Sequence, residues 1–268
     1  MDTLSEDIQP TGEGFKMDDT LTIACLLWVD DVVSCVEGRS NQEQMLDRIA
    51  NFALKHKLRW GTQKCKVMRV GKHNEDKQKW KLGTLEIEET DSYRYLGDVV
   101  TSDGKNSKNL EARKAKTFAA TCSINSIAAT NVLRKIETKV ILELHEKIIL
   151  SALLTNAEAW TLLKSEKDEI ERIEIQTLKM LFDLPIHTPT PAIIFSFGTL
   201  FTNLRIEKKR LIYLHRLLNK HDDSWTKKTL YILNRLNLGW AKSINEALND
   251  LDLPTNFSEI KATTTRQN

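Results

Sequence analysis

Two adjacent carboxylates, Asp30 and Asp31, interrupt what would otherwise be a continuous apolar segment. The flanking residues, 21–29 (LTIACLLWV) and 32–36 (VVSCV), are rich in strand-forming side chains. Two neighbouring charges of like sign repel each other and resist burial, so they do not fit the middle of a buried strand. The pattern predicts a β-hairpin, or a strand that enters a tight turn, with the aspartates at the polar interruption.

The composition allows a folded chain with an anionic partner. The 268 residues suffice for one large domain or two modest ones, and 41% of them are apolar, which is enough for a core. The net charge of +2 hides an uneven distribution, because residues 1–47 hold eleven acids and two bases, whereas residues 48–81 hold eleven bases and two acids. Since salt screens charge beyond about 8–10 Å, local charge matters more than the total.

Several classes of protein are disfavoured by what the sequence lacks. Its four cysteines have no paired spacing, which indicates a reduced compartment and no disulfide framework. The six histidines form no zinc-ligand pattern with them, so we expect no zinc. No apolar run approaches the ~20 residues that span a bilayer, and the acidic N-terminus lacks a signal-peptide pattern. We therefore expect no membrane partner and a location in the nucleus or cytoplasm.

Periodicity along the chain predicts an α+β fold with a boundary near residue 104. A capping box of Ser40 and Glu43 is expected to start a helix that ends near Lys57. Strands are predicted at 66–70, 82–88 and 93–100, with breaks at Gly83 and Gly97 and a turn at 102–104. Helices are predicted at about 107–127, 134–154, 166–183, 203–220 and 240–250. The resulting division is a loose acidic tail at 1–19, an α/β region at 20–104 and a helical region at 105–268.

The paired aspartates have two interpretations. A pair of hard oxygen ligands suits Mg²⁺, with Mn²⁺ as an alternative ion, because Mg²⁺ takes one or two carboxylates and completes its shell with phosphate and water. Two such ions can hold the attacking and leaving oxygens of phosphoryl transfer. The alternative is a solvated turn without a ligand, since aspartate favours turns. For Asp30 and Asp31 alone, the second interpretation is the better one.

Four segments, in order along the chain, carry a resemblance to one family. They are 27–33 (LWVDDVV), 58–68 (LRWGTQKCKVM), 92–97 (SYRYLG) with the following 102–104 (SDG), and 157–162 (AEAWTL). These segments resemble the aspartate motif, the lysine segment, the primer-grip strand and a thumb-side stretch of reverse transcriptases from retrotransposons without long terminal repeats. The chain departs from the family pattern where Val29 replaces alanine and where Gly61 and Cys65 replace asparagine and threonine.

The resemblance implies a fold and a function. The fold would be a partial polymerase palm, made of an antiparallel hairpin, a helix and strands, followed by an all-helical thumb and connector. The function would be template-directed DNA synthesis on RNA by two-metal phosphoryl transfer, with an RNA template, a DNA primer and deoxynucleotides as partners. Asp30 would be the main metal-binding carboxylate and Asp31 its less direct neighbour, while Lys64 would neutralise or protonate the leaving pyrophosphate.

The resemblance also implies roles for further side chains. Trp28 would pack beneath the turn that carries the aspartates. The primer's 3′ end would be held by Tyr95, Leu96 and Gly97. Phosphates would contact the basic side chains Lys66, Arg69, Lys105, Arg113, Lys114 and Lys116, which would supply salt-sensitive affinity without sequence preference.

The family also uses a third carboxylate on a strand well upstream of the paired aspartates, and a fingers region. Only 29 residues precede Asp30, and neither feature is recognised among them. We therefore predict that the chain by itself does not polymerise. Two alternatives stay open, namely a nucleic-acid-binding remnant without catalysis and an unrelated helical interaction protein.

Overall fold

The computed structural model describes residues 14–61, 63–71, 78–129, 137–257 and 260. The fold is α+β, 55% helical, with small sheets of antiparallel and mixed strands. The chain divides into two compact units, Met1–Tyr95 with Val100–Gly104 and Leu96–Val99 with Lys105–Asn268. None of the described helices has both the length and the apolar character needed to cross a membrane.

The strands are short. They are β1 (Phe15–Lys16), β2 (Thr22–Ile23), β3 (Cys25–Trp28), β4 (Asp31–Ser34), β5 (Lys66–Val67), β6 (Lys79–Leu82), β7 (Leu85–Glu89), β8 (Ser92–Tyr95) and β9 (Asp98–Thr101). The pairs β1–β2, β3–β4 and β8–β9 are two-stranded, and the remaining sheet has the order β5-β7-β6. In that sheet β5 runs parallel to β7, and β6 runs antiparallel to it.

The helices are longer. They are α1 (Arg39–Lys55), α2 (Ser107–Ala129), α3 (Thr138–Leu144), α4 (Ser151–Leu154), α5 (Lys164–Leu181), α6 (Thr190–Phe197), α7 (Thr202–Leu218), α8 (Trp225–Arg235) and α9 (Gly239–Asp250). A π-helical turn, His145–Leu150, joins α3 to α4, and a 3₁₀ turn, Ala157–Ala159, precedes α5.

The core of the first unit is built by α1, β3 and the three-stranded sheet. Helix α1 buries residues at helical spacing, among them Met45, Ile49 and Phe52. Strand β3 contributes Cys25, and β6 contributes Trp80. This packing gives the β3–β4 hairpin a fixed apolar support, which a two-stranded sheet needs because it is marginally stable by itself.

Among its described residues, the second unit has three apolar clusters. Leu110 of α2 packs with Ile170 of α5 and Ile206 of α7 in the first. The second joins the end of α5 to α6, and the third joins α7, α8 and α9 through the apolar faces that these helices bury. The predicted helical region is thus present, while its assignment as a thumb stays a prediction.

Several local predictions were wrong. Helix α1 begins at Arg39, and its N-cap residue Gly38 has no side chain that could cap it, so Ser40 lies inside the helix. Glu43 pairs with the Arg39 guanidinium at 2.8 Å. The predicted strand at 93–100 is two strands with a turn between them, and β6 was not predicted. Residues 15 and 16 of the expected loose tail form β1, while residues 1–13 lie outside the described part. Helix α8 was also missed.

Candidate functional site

The predicted hairpin is confirmed, with Asp30 in its turn and Asp31 at the start of the second strand. Strands β3 and β4 are antiparallel, and Trp28 lies opposite Asp31, so the tip consists of Val29 and Asp30. Both aspartates are exposed. A short hairpin that offers two carboxylates to solvent avoids the desolvation cost that a buried pair would meet.

One face of the hairpin lies on the core and the other faces outward. Leu27 and Val32, which are register partners, pack against the buried cluster of the first unit. Leu26 and Trp28 point the other way, because side chains alternate along a strand. Trp28 is 61% exposed, so the expectation that it packs beneath the turn is wrong. Apolar side chains thus stand beside Asp31 on the outward face.

The tip has a strained backbone at Val29, whose φ is 54°. A β-branched residue rarely adopts a positive φ, and such outliers cluster at functional sites and turns. The side chain is 77% exposed, so it gains little from burial. We expect Val29→Gly to raise the free energy of unfolding by about 1 kcal/mol, since glycine adopts this φ without strain. Urea denaturation of the two proteins measures the difference.

Val33→Gly is the matched control for that substitution. Val33 lies in β4 of the same hairpin, with an ordinary negative φ and a partly buried side chain. The glycine should therefore destabilise the protein at this position, because strand interiors disfavour it. A loss of stability at both positions would contradict the strain attributed to Val29.

Strand β8 lies close to the hairpin within the first unit. Burial raises the pKa of Tyr93, and the negative charge of Asp31 raises it further, followed by Cys65. Burial also raises the pKa of Tyr95, again with Asp31 as the second cause and Cys35 as the third. One carboxylate therefore acts on both tyrosines. The aspartate tip and the end of the predicted primer-grip strand, Tyr95, are neighbours.

Lys64 is attached to the same strand through its backbone. The Tyr93 hydroxyl donates to the Lys64 carbonyl at 3.0 Å, and the Lys64 N–H donates to the Gly61 carbonyl at 2.8 Å. The Lys64 side chain is exposed. Lys64 thus contacts Tyr93 through its backbone, and the charge of Asp31 acts on the same tyrosine, so Tyr93 relates the lysine segment to the aspartate motif.

The turn between β8 and β9 consists of Leu96 and Gly97, with φ values of 47° and 90°. Two consecutive positive φ values at the centre of a two-residue loop are typical of a type I′ turn, whose second position here is glycine. Leu96 pays a conformational cost there, because it has a Cβ atom. Within the second unit, the Leu96 carbonyl accepts a hydrogen bond from Asn156 at 3.4 Å. The Gly97 carbonyl accepts one from Arg113 at 3.3 Å.

Most of the basic residues predicted to contact phosphates are paired with carboxylates. The ion pairs are Lys66 with Glu88 at 2.6 Å, Arg69 with Glu89 at 2.7 Å, Arg113 with Asp98 at 2.6 Å and Lys114 with Glu169 at 3.2 Å. Lys105 and Lys116 are exposed. Phosphate binding by the paired side chains would require them to exchange a carboxylate for a phosphate.

Arg113 occupies a different environment from the one expected of a phosphate-contacting residue. It is 4% exposed, and its guanidinium also lies over the Trp160 ring, 5.8 Å from the ring centre. Solvent and nucleic acid therefore have little access to it. Its contacts connect α2 to the turn at Leu96 and Gly97, which is a structural task that the sequence does not reveal.

The donor set at the hairpin tip fits a divalent cation of the magnesium type. Two exposed carboxylates are the number that Mg²⁺ commonly takes from a protein when a substrate phosphate and water supply the rest. Within the described ranges, no group of three or more His, Cys, Asp or Glu side chains is arranged to hold a metal ion. A metal at the pair Asp30 and Asp31 would need further ligands from substrate and water.

Sequence reasoning missed several residues of this site. Tyr93, Asp98 and Asn156 were given no role, although they make the contacts that join the motifs. The signal for Asp98 and Asn156 is weak, because their partners are distant in sequence. Comparison of the chain with protein-family models, with curated proteins and with solved structures gives no match.

Proposed function

We propose that the chain is the C-terminal palm and thumb portion of a reverse transcriptase from a retrotransposon without long terminal repeats. Such an enzyme copies RNA into DNA by two-metal phosphoryl transfer, with an RNA template, a DNA primer and deoxynucleotides. Residues 20–104 would be the partial palm, and residues 105–268 would be the helical thumb and connector. The four ordered sequence segments are the first support for this proposal.

One combination of features carries the proposal. The exposed pair Asp30 and Asp31 lies in a two-residue hairpin turn and the first position after it. After burial, the negative charge of Asp31 is the next cause that raises the pKa of Tyr93 and Tyr95 in β8. A polymerase needs its metal-binding carboxylates beside the strand that holds the primer end. An accidental Asp-Asp turn would have no reason to act on the strand that carries the predicted primer grip.

The chemistry follows from the positions of these side chains. Bound Mg²⁺ would stabilise the negative charge that develops on the reacting phosphate. Asp30 would be the main ligand and Asp31 the secondary one. The Lys64 ammonium is exposed and tethered through its backbone to Tyr93, so it could meet a leaving pyrophosphate and donate a proton to it.

Iron-directed cleavage tests the proposal. Fe²⁺ replaces Mg²⁺ at such sites and, with ascorbate and peroxide, generates radicals that cut what lies nearby. With an RNA–DNA hybrid that has a recessed primer 3′ end, we expect the protein to be cut near residues 29–32 and the primer to be cut near its 3′ end. Excess Mg²⁺ should suppress both cuts. Mass spectrometry and a sequencing gel locate them.

Asp30→Asn should abolish both cuts. Asp19→Asn removes one charge from another exposed aspartate of the same unit and should leave both unchanged. A chain that binds the hybrid but is cut at scattered positions would be a nucleic-acid-binding remnant without catalysis. A chain that does not bind the hybrid at all would be neither a reverse transcriptase fragment nor a nucleic-acid-binding remnant. That result would favour the interpretation as a helical interaction protein.

A further inference from the structure

We infer that Arg113, Asp98 and Asn156 are positioning residues that hold the turn of Leu96 and Gly97 in the conformation that grips the primer's 3′ end. This inference rests on the proposed function and assigns a new task to residues of the second unit. None of the three side chains needs to touch nucleic acid. They would act through the two backbone carbonyls of the turn.

Asp98 is the centre of the network. Its Oδ1 accepts from Arg113 Nη2 at 2.6 Å and from Asn109 Nδ2 at 3.2 Å, and its Oδ2 accepts from Asn156 Nδ2 at 2.8 Å. Burial would raise the pKa of Asp98, but the hydrogen bonds from Arg113 and Asn156 leave it lowered. Asp98 is therefore a well-satisfied anion directly after the turn.

Two members of the network also hold the turn itself. Arg113 Nη2 donates to the Gly97 carbonyl at 3.3 Å, and Asn156 Nδ2 donates to the Leu96 carbonyl at 3.4 Å. Each donor thus bridges Asp98 and one turn carbonyl. Asn109 adds a third attachment, because its Oδ1 accepts from the Val99 N–H at 3.1 Å. The donors come from α2 and from the residue before the 3₁₀ turn.

The turn has a reason to need this support. Leu96 has a positive φ, which is costly for a residue with a side chain, and such a conformation persists only where surrounding contacts impose it. Asn156 is itself in the left-handed region, with a φ of 62°, and its side-chain amide donates to the Leu96 carbonyl of the turn. A strained turn held by a charge-assisted hydrogen bond from Arg113 and a second bond from Asn156 is suited to present a fixed surface to a ligand.

The test compares two RNA–DNA hybrids of equal length, one with a recessed primer 3′ end and one with both ends closed by hairpin loops. We expect the chain to bind the recessed hybrid about tenfold more tightly, as judged by fluorescence anisotropy. Arg113→Lys and Asn156→Gly should each reduce that ratio to about one, with affinity for the closed hybrid within about twofold of the original. The ratio is informative because general loss of folding lowers both affinities together.

Two control variants match these substitutions. Arg210 is also buried, at 1% exposed, pairs with Glu207 and lies over the Trp240 ring at 5.9 Å, yet it has no contact with the turn among the bonds described. Asn237 has a φ of 51° at the end of α8, so Asn237→Gly copies the backbone change at Asn156. Arg210→Lys and Asn237→Gly should keep the tenfold ratio.

The outcomes distinguish a failure of the positioning role from a failure of the proposed function. If the original chain prefers the recessed hybrid and both variants keep that preference, the positioning role is overturned and the proposed function stands. If the original chain binds both hybrids equally, the primer grip itself is overturned, and the positioning role falls with it. Because Asn156→Gly retains a permitted backbone conformation, it keeps the test decisive if Arg113→Lys fails to fold.

Discussion

Glu89→Ala is expected to lower the free energy of unfolding by about 3 kcal/mol. The Glu89 side chain is 1% exposed and accepts from Arg69 Nε at 2.7 Å, from the Gln78 N–H at 3.0 Å and from Trp80 Nε1 at 3.3 Å. Without the carboxylate, the largely buried Arg69 guanidinium would lose its negative partner. The buried Trp80 indole would lose its hydrogen-bond acceptor. Urea denaturation followed by intrinsic fluorescence measures the loss.

The neighbouring Glu88 provides the control. It lies in the same strand and pairs with Lys66 at 2.6 Å, but its side chain is 82% exposed. Solvent screens that pair, so Glu88→Ala should cost much less. Equal losses at the two positions would mean that burial does not determine the strength of these ion pairs, contrary to the expectation.

Acidification is expected to destabilise the second unit through His145. This residue is 2% exposed in the π-helical turn, and its Nε2 lies 3.0 Å from the Thr177 hydroxyl. Burial lowers its pKa from 6.5 to about 4, assisted by the Arg205 charge and opposed by Glu146. The unfolded chain therefore takes up a proton at higher pH than the folded chain does. The stability that neutral His145 contributes is complete above pH 6.5. As the pH falls toward 4, the free energy of unfolding decreases by roughly 3 kcal/mol.

His145→Gln should remove most of this pH dependence, because glutamine has no proton to gain and can still bond Thr177. Denaturation curves at neutral pH and at about pH 4, followed by circular dichroism, give the comparison. His187→Gln changes an exposed histidine and should leave the pH dependence intact. Burial raises the pKa of Glu174, which favours the folded chain on acidification, but this effect is common to all three proteins. An unaltered pH dependence in His145→Gln would contradict the assignment.

The aspartate hairpin could be predicted because its signal is local. Like charges inside an apolar run can be reconciled with folding only at an exposed tip, and Asp30 and Asp31 lie there. The buried face of α1 could be predicted equally well, since Met45, Ile49 and Phe52 recur at helical spacing. In both cases the determining interactions lie within a few residues along the chain.

Elements that depend on distant partners could not be predicted in this way. Arg113 looks like a surface residue until Asp98, fifteen positions earlier, is known to neutralise it. Helix α8 was missed because its buried face includes Lys227, which a periodicity argument counts as polar, although its ammonium bonds the Lys220 carbonyl at 2.9 Å and Asp222 at 2.5 Å. Gly97 indicated a break in this segment, but the role of Leu96 as the first turn residue was hidden, because leucine is not a typical residue for a positive φ.

The two compact units are not contiguous in sequence, and this limits how the protein can be dissected. Residues Leu96–Val99 belong to the second unit, although Val100–Gly104 of the first unit follow them. A recombinant fragment that starts at Lys105 would look like a natural helical domain but would omit Asp98. Arg113 would then carry an uncompensated charge inside that fragment, at a cost of about 3–5 kcal/mol. Expression boundaries for the helical half should therefore begin upstream of Leu96.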